Sequence, residues 1–190
     1  ARNRLTETTD PASGLTRQMH DALDRITQVA DPRNIATAYS YNAFGDVTQE
    51  ISADRGTITY TYDDAGNLKT VLDARGVKHT YTWDALNRPT KRTHTTVTGV
   101  SGAATLNWSY DAGANGIGRM TSMTDGSGST SFSYDLHGRL LAKTQTTKFT
   151  SAGVTINYPQ TLSYQYDSFG RQSQMTYPSG TQITTSYSVE

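Results

Sequence analysis

Apolar and polar positions alternate along much of the chain, most clearly between Thr57 and Trp83. In Thr57-Ile58-Thr59-Tyr60-Thr61-Tyr62, residues Ile58, Tyr60 and Tyr62 share one face and three threonines the other, which is the period of a half-buried strand. Lys78-His79-Thr80-Tyr81-Thr82-Trp83 repeats the pattern, with His79, Tyr81 and Trp83 on the aromatic face. Between the two, Asp63-Asp64-Ala65-Gly66-Asn67 reads as a hairpin turn, Asp accepting local amides and Gly taking positive φ. Leu68-Lys69-Thr70-Val71-Leu72 is a second short strand, closed by Asp73-Ala74-Arg75-Gly76. Strand, turn, strand and turn fill 21 residues.

That unit recurs. Tyr41, Tyr62 and Trp83 stand 21 residues apart and open the same phrase: Tyr41-Asn42-Ala43-Phe44-Gly45-Asp46, Tyr62-Asp63-Asp64-Ala65-Gly66-Asn67 and Trp83-Asp84-Ala85-Leu86-Asn87-Arg88. His20-Asp21-Ala22-Leu23-Asp24-Arg25 is a degenerate copy one step earlier. The phrase returns at Tyr110-Asp111, Tyr134-Asp135-Leu136-His137-Gly138-Arg139-Leu140 and Tyr166-Asp167-Ser168-Phe169-Gly170-Arg171, with looser spacing. The next phrase is due near the end, where Val189 and Glu190 stand in its place. A fixed period of this size means an architecture grown by adding one supersecondary unit at a time. The second turn recurs too, at Asp31-Pro32-Arg33-Asn34, Asp54-Arg55-Gly56, Gly126-Ser127-Gly128 and Tyr177-Pro178-Ser179-Gly180. Leu15 to Val29, the best helical candidate, is interrupted by turn chemistry and reads as strand and turn, so an all-β chain without helix is expected. Three irregular stretches break the rhythm: residues 93–105 and 143–158, read as lengthened strands with a hairpin loop, and 111–119, a swollen phrase. Residues 1–190 read as one continuous repeat segment, an excerpt of a longer chain.

Composition narrows the function classes. Hydrophobic residues make up 34% and charged residues 18%, while the chain holds 32 threonines and 12 tyrosines, which suits ordered β structure. Lys plus Arg and Asp plus Glu are 17 each, so no net field draws in nucleic acid or an anionic membrane. With zero cysteines, disulfides, thiolate metal sites and a cysteine nucleophile are excluded. No apolar run approaches the roughly 18 residues of a membrane span, and no secretion signal is read in the segment.

Candidate chemistry divides into rows. The phrase aspartates Asp21, Asp63, Asp84, Asp111, Asp135 and Asp167 are carboxylates that could bind calcium or act as acid and base. Each precedes a Gly-type position, however, and each copy supplies only one or two carboxylates, so they are read as turn residues accepting backbone amides. Arg25, Arg88, Arg119, Arg139 and Arg171 could line a strip for anionic glycans, nucleic acid or cargo; the structural reading is stacking on a neighbouring Tyr or pairing with the Asp of an adjacent copy. The aromatics Tyr39, Tyr41, Tyr60, Tyr62, Tyr81 and Trp83 are read as cross-strand packing rather than a sugar or base platform. His20, His79, His94 and His137 lack metal-ligand spacing, Gly113 to Gly118 lacks the Lys of a phosphate loop, and no Gly-x-Ser-x-Gly elbow occurs. No enzyme, cofactor or metal is expected; the phrase residues Tyr41, Gly45, Tyr62, Asp63, Gly66, Trp83, Asp84, Arg88, Tyr110, Asp111, Tyr134, Asp135, Gly138, Arg139, Tyr166, Asp167, Gly170 and Arg171 are read as a structural repeat motif.

The phrase Tyr-Asp-x-x-Gly-Arg-Leu, whole at Tyr134 to Leu140, resembles the motif of the RHS or YD repeat family, and the match runs from about His20 to the end. The resemblance implies tandem β-hairpins wound into a spiralling, curved antiparallel sheet, part of a hollow β-shell. Relatives include bacterial polymorphic toxins, the cocoon of insecticidal ABC toxins and the shell of teneurins. The chain departs from complete members in having no Asp-Pro-x-Gly-type segment, no delivery domain and no non-repeat toxin domain. The implied role is a non-enzymatic shell segment of a secreted or delivered bacterial effector, sequestering a C-terminal toxin domain. Its partners would be that toxin, adjacent repeats of the parent chain and a secretion apparatus. The rival reading is a cell-surface adhesion or carbohydrate-binding module with a glycan as partner.

Overall fold

The computed structural model describes residues 3–95 and 104–188, and its regular secondary structure there is all strand. The insertion expected at 93–105 and the expectation for Val189 and Glu190 fall mostly or wholly outside the described residues. The chain divides into two compact units, Ala1–Asn87 with Thr93–Ala103, and Arg88–Arg92 with Ala104–Glu190.

The first unit holds β1 (Glu7–Thr9), β2 (Leu15–His20), β3 (Ile26–Ala30), β4 (Ala36–Tyr41), β5 (Val47–Ser52), β6 (Gly56–Tyr62), β7 (Leu68–Leu72) and β8 (Lys78–Trp83). β9 (Pro89–His94) is divided between the units. The second holds β10 (Thr105–Tyr110), β11 (Met120–Asp125), β12 (Gly128–Tyr134), β13 (Leu140–Ser151), β14 (Val154–Tyr166), β15 (Gln172–Thr176) and β16 (Gln182–Thr184). From β1 to β8, and again from β10 to β16, each strand pairs antiparallel with the next in chain order. Leu15 to Val29 is strand, turn and strand, as its turn residues predict.

Most connections are one turn used repeatedly. At Asp63 the Gly66 amide donates to the Asp63 carbonyl at 3.0 Å and the Asp63 amide to the Asn67 carbonyl at 2.9 Å. This three-residue loop is a type I turn followed by a left-handed residue, Gly66 at φ 82°. Asp21, Asn42, Asp135 and Asp167 open the same loop at one end of the strands, and Asp10, Asp31, Asp73 and Tyr177 open it at the other. Asp24 and Asn34 take the left-handed position at φ 66° and 63°, so a short polar side chain substitutes there for Gly.

A register shift marks the residue pair before the phrase aromatic: Met19/His20, Ser40/Tyr41, Thr61/Tyr62, Ser109/Tyr110, Ser133/Tyr134 and Gln165/Tyr166. The bulge re-aims the aromatic while the rest of the strand keeps its alternation. Among the described residues no hydrophobic side chain is fully buried, and the most enclosed side chains are polar: Glu50, Ser52, Thr121 and Thr130. The sheet is therefore held by its ladders and by cross-strand pairs rather than by a core. Thr61 and Thr70 share a hydroxyl hydrogen bond of 2.7 Å across β6 and β7, and Thr144 and Thr161 one of 2.8 Å across β13 and β14.

Residues 143–158 belong to a long hairpin. β13 and β14 pair from Ala142↔Ser163 to Ser151↔Val154, whereas β12 leaves β13 after Thr147 and β15 meets β14 only from Ser163 onward. Beyond Lys148, whose amide donates to the Ser127 carbonyl at 2.7 Å, the outer part of the hairpin pairs with itself.

Candidate functional site

The phrase turns gather every residue of the repeat motif into one recurrent constellation. Its first member is the Asp. One Asp63 oxygen accepts the amides of Ala65 and Asn67 at 3.0 and 2.8 Å. Asp21, Asp135 and Asp167 do the same for the residues two and four positions on, at 2.8–3.0 Å. At Asp84 the Leu86 amide donates to the carboxylate at 2.8 Å. The backbone amide of Asn67 holds the Asp63 carboxyl below its usual value against the opposing effect of burial. For Asp135 and Asp167 burial works to raise the carboxyl, and hydrogen bonds from Arg139 and Arg171 overcome it and lower the pKa. A carboxylate spent on its own loop has little left for a calcium ion, and among the described residues no group of three or more His, Asp or Glu could hold a metal.

The arginine is the second member. Arg25, Arg139 and Arg171 each pair through Nε with the second oxygen of the Asp in their own phrase, at 2.6–2.7 Å. Each guanidinium also lies over the aromatic ring of the following phrase: Arg25 on Tyr41, Arg139 on Tyr166 and Arg171 on Tyr187, at 4.6, 4.5 and 4.1 Å from the ring centroids. The stacking partner is thus the neighbouring tyrosine, as expected, and for these three the ion-pair partner is the arginine's own Asp rather than that of an adjacent copy. Arg88 does reach the adjacent copy, holding Asp111 with both terminal nitrogens at 3.0 and 2.6 Å and lying over Tyr110 at 4.4 Å.

The swollen phrase at 111–119 departs from the pattern of the other copies. Asp111 is itself left-handed at φ 65° and accepts the Gly118 amide at 2.6 Å, seven residues on. Arg119 turns instead to the carbonyls of Asn115, Ile117 and Gly138 and lies 5.6 Å from Tyr134. In the Tyr41 phrase the pair is inverted: Asn42 takes the amides of Phe44 and Asp46 on its oxygen and donates its own amide to the Asp46 carboxylate at 2.9 Å.

The aromatic completes the constellation. The Tyr41 hydroxyl donates to the Ile26 carbonyl at 2.6 Å, Tyr62 to Val47 at 2.9 Å, and the Trp83 indole nitrogen to Leu68 at 2.9 Å. Tyr110, Tyr134, Tyr166 and Tyr187 bond Pro89, Met120, Leu140 and Gln172 in the same way. Every acceptor is the first residue after the preceding phrase turn, so each ring bolts one repeat to the one before it. Trp83 preserves the bond because its N–H points where a phenol would. Tyr187 corrects the expectation that Val189 and Glu190 replace the last phrase. It stands 21 residues after Tyr166 and fills the aromatic seat, a spacing legible in the chain.

This geometry agrees with the comparisons. The model of the RHS Repeat family matches residues 20–58, 41–79, 62–96 and 114–150, together more than half of the chain. The chain is a member of the RHS repeat family. Its fold is also that of solved Tc toxin proteins. It aligns with the Photorhabdus luminescens Tc holotoxin pore carrying a mutated TccC3 at a TM-score of 0.78 and 18% identity, over 95% of this chain and 10% of that one. A TcdB2–TccC3 complex without its hypervariable C-terminal region gives 0.76 at 18% identity over 95% of this chain and 10% of that one. TcdB2–TccC3–Cdc42 gives 0.73 at 18% over 87% and 9%. The chain spans about a tenth of the length of these proteins. No curated protein matches it.

Proposed function

We propose that the chain is a non-enzymatic stretch of wall in an RHS-repeat protein that sequesters a C-terminal toxin domain, within an effector that is secreted or delivered by a bacterium. The observation that carries this reading is the use of the repeat motif. Across the phrases, Asp oxygens, Arg guanidinium groups and Tyr hydroxyls bond within or between neighbouring copies, so the recurrent side chains build the sheet rather than face a substrate. Among the described residues no hydrophobic side chain is fully buried, and strand threonines such as Thr57, Thr61 and Thr82 are exposed, which suits a partition wetted on both sides. The fold match to TccC3-containing toxin complexes, one of them described as lacking a hypervariable C-terminal region, supports a variable cargo beyond the repeats. The partners in this reading are the enclosed domain and the adjoining repeats.

Limited proteolysis of the full-length parent protein, with mass spectrometry of the fragments, tests it. A non-repeat C-terminal fragment should survive protease natively and become sensitive after mild denaturation. Immediate cleavage of that fragment, or its absence, would overturn enclosure in favour of an adhesive surface.

A further inference from the structure

The guanidinium of the preceding phrase covers the ring of Tyr41, Tyr110, Tyr134, Tyr166 and Tyr187. That arginine is always the last residue of a phrase turn. Two turns end otherwise, in Asp46 and Asn67, and the rings one copy on are Tyr62 and Trp83. Among the described residues no guanidinium lies over either ring.

At Tyr62 the exchange reverses the charge. The ring keeps its seat, since the hydroxyl still donates to the Val47 carbonyl at 2.9 Å. Burial, and after it the Asp46 charge, raises the phenol pKa, and Asp46 and Tyr62 line one groove. An open groove lies between the turns at 42–46 and 62–66, walled by Phe44, Tyr60 and Tyr62 and bearing Asp46, Asp63 and Asp64, with no basic residue in its lining. Phe44 is 93% exposed. Asp63 is occupied by its own loop and feels Lys69. Among the described residues neither Asp46 nor Asp64 forms an ion pair with Lys or Arg.

We propose that this groove docks an arginine presented by a basic segment of a second polypeptide, its guanidinium lying over Tyr62 against Asp46 and its stem along Phe44. The molecule itself supplies the template, because a guanidinium occupies the equivalent position in five other copies. Asp46 and Asp64 supply the charge complementarity. Arginine is preferred to lysine because its planar group stacks on a ring and meets a carboxylate edge-on at once. The inference does not depend on whether the repeats enclose a cargo.

The test is an NMR titration of the 190-residue chain with capped Gly-Arg-Gly, Gly-Lys-Gly and Gly-Glu-Gly at millimolar concentrations. The arginine peptide should give saturable shifts confined to Phe44, Tyr62 and Gly66 and their neighbours, the lysine peptide weaker ones, and the glutamate peptide none. Asp46→Arg installs the residue that other copies carry and should fill the groove from within, weakening arginine-peptide binding at least tenfold while signals elsewhere stay in place. Asp46→Asn, which removes the charge without filling the space, should weaken it several-fold. Undiminished binding to Asp46→Arg, equal binding of the glutamate peptide, or no saturable shift at these residues overturns the proposal.

Discussion

Gly66 and Gly138 hold the same place in two phrase turns, at φ 82° and 80°, and differ in what surrounds them. A Cβ on Gly66 would meet nothing within 4 Å, whereas on Gly138 it would strike the Arg119 guanidinium. Gly66→Ala therefore reads the backbone cost of a left-handed residue alone, roughly 1 kcal/mol. Gly138→Ala should cost about 1 kcal/mol more, because Arg119 must leave both the Gly138 carbonyl and the Tyr134 ring. Urea unfolding of the two variants checks the difference. An Arg119→Ala background should abolish the excess at Gly138 and leave the cost at Gly66 unchanged. Equal costs for the two glycines in the wild-type background would mean that Arg119 contributes nothing through this contact.

At the scale of elements, the outer part of the β13–β14 hairpin is the segment least tied to the rest of its sheet. Beyond Thr147 and before Ser163 it has no flanking strand, and residues 154–161 are exposed throughout. Replacing residues 148–157 by Asn-Gly, the dipeptide that closes a two-residue hairpin, should move the urea midpoint little and keep the strand signature in far-UV circular dichroism. Limited proteolysis of the unaltered chain should cut first at the Ala152-Gly153 tip, as expected of an exposed loop end. A large loss of stability on excision would show that the overhang supports the sheet. Most elements were legible beforehand: alternation in Thr57 to Tyr62 marks β6, and Asp and Gly at set offsets mark its turns. The bolts between copies were not. Which carbonyl Tyr62 reaches depends on the bulge at Thr61/Tyr62 and on cross-strand register, neither of which alternation encodes. That Arg88 reaches the Asp of the next copy depends on the lengthened loop which that Asp opens, and the motif does not encode it.

The molecule as a whole has no buried hydrophobic side chain among its described residues, so turns and ladders carry a larger share of its stability than in a cored domain. Asp21, Asp31, Asp63, Asp73, Asp111, Asp125, Asp135 and Asp167 all have carboxyl pKa values lowered in the folded chain. A group whose folded pKa is depressed contributes stability that is fully present above its unfolded value, about 3.9, and is lost as pH falls through the folded value. The urea midpoint should therefore hold steady from pH 7 to about 5 and drop progressively below about 4. The Tyr41 phrase provides an internal control. Its loop amide at Phe44 donates to the uncharged Asn42 side chain, whereas the equivalent amide at Phe169 donates to the Asp167 carboxylate. Hydrogen exchange at acid pH values where circular dichroism still reports a folded sheet should show Phe169 losing protection relative to Phe44. Parallel loss at both amides would mean that acid acts on the sheet as a whole and not through the loop carboxylates.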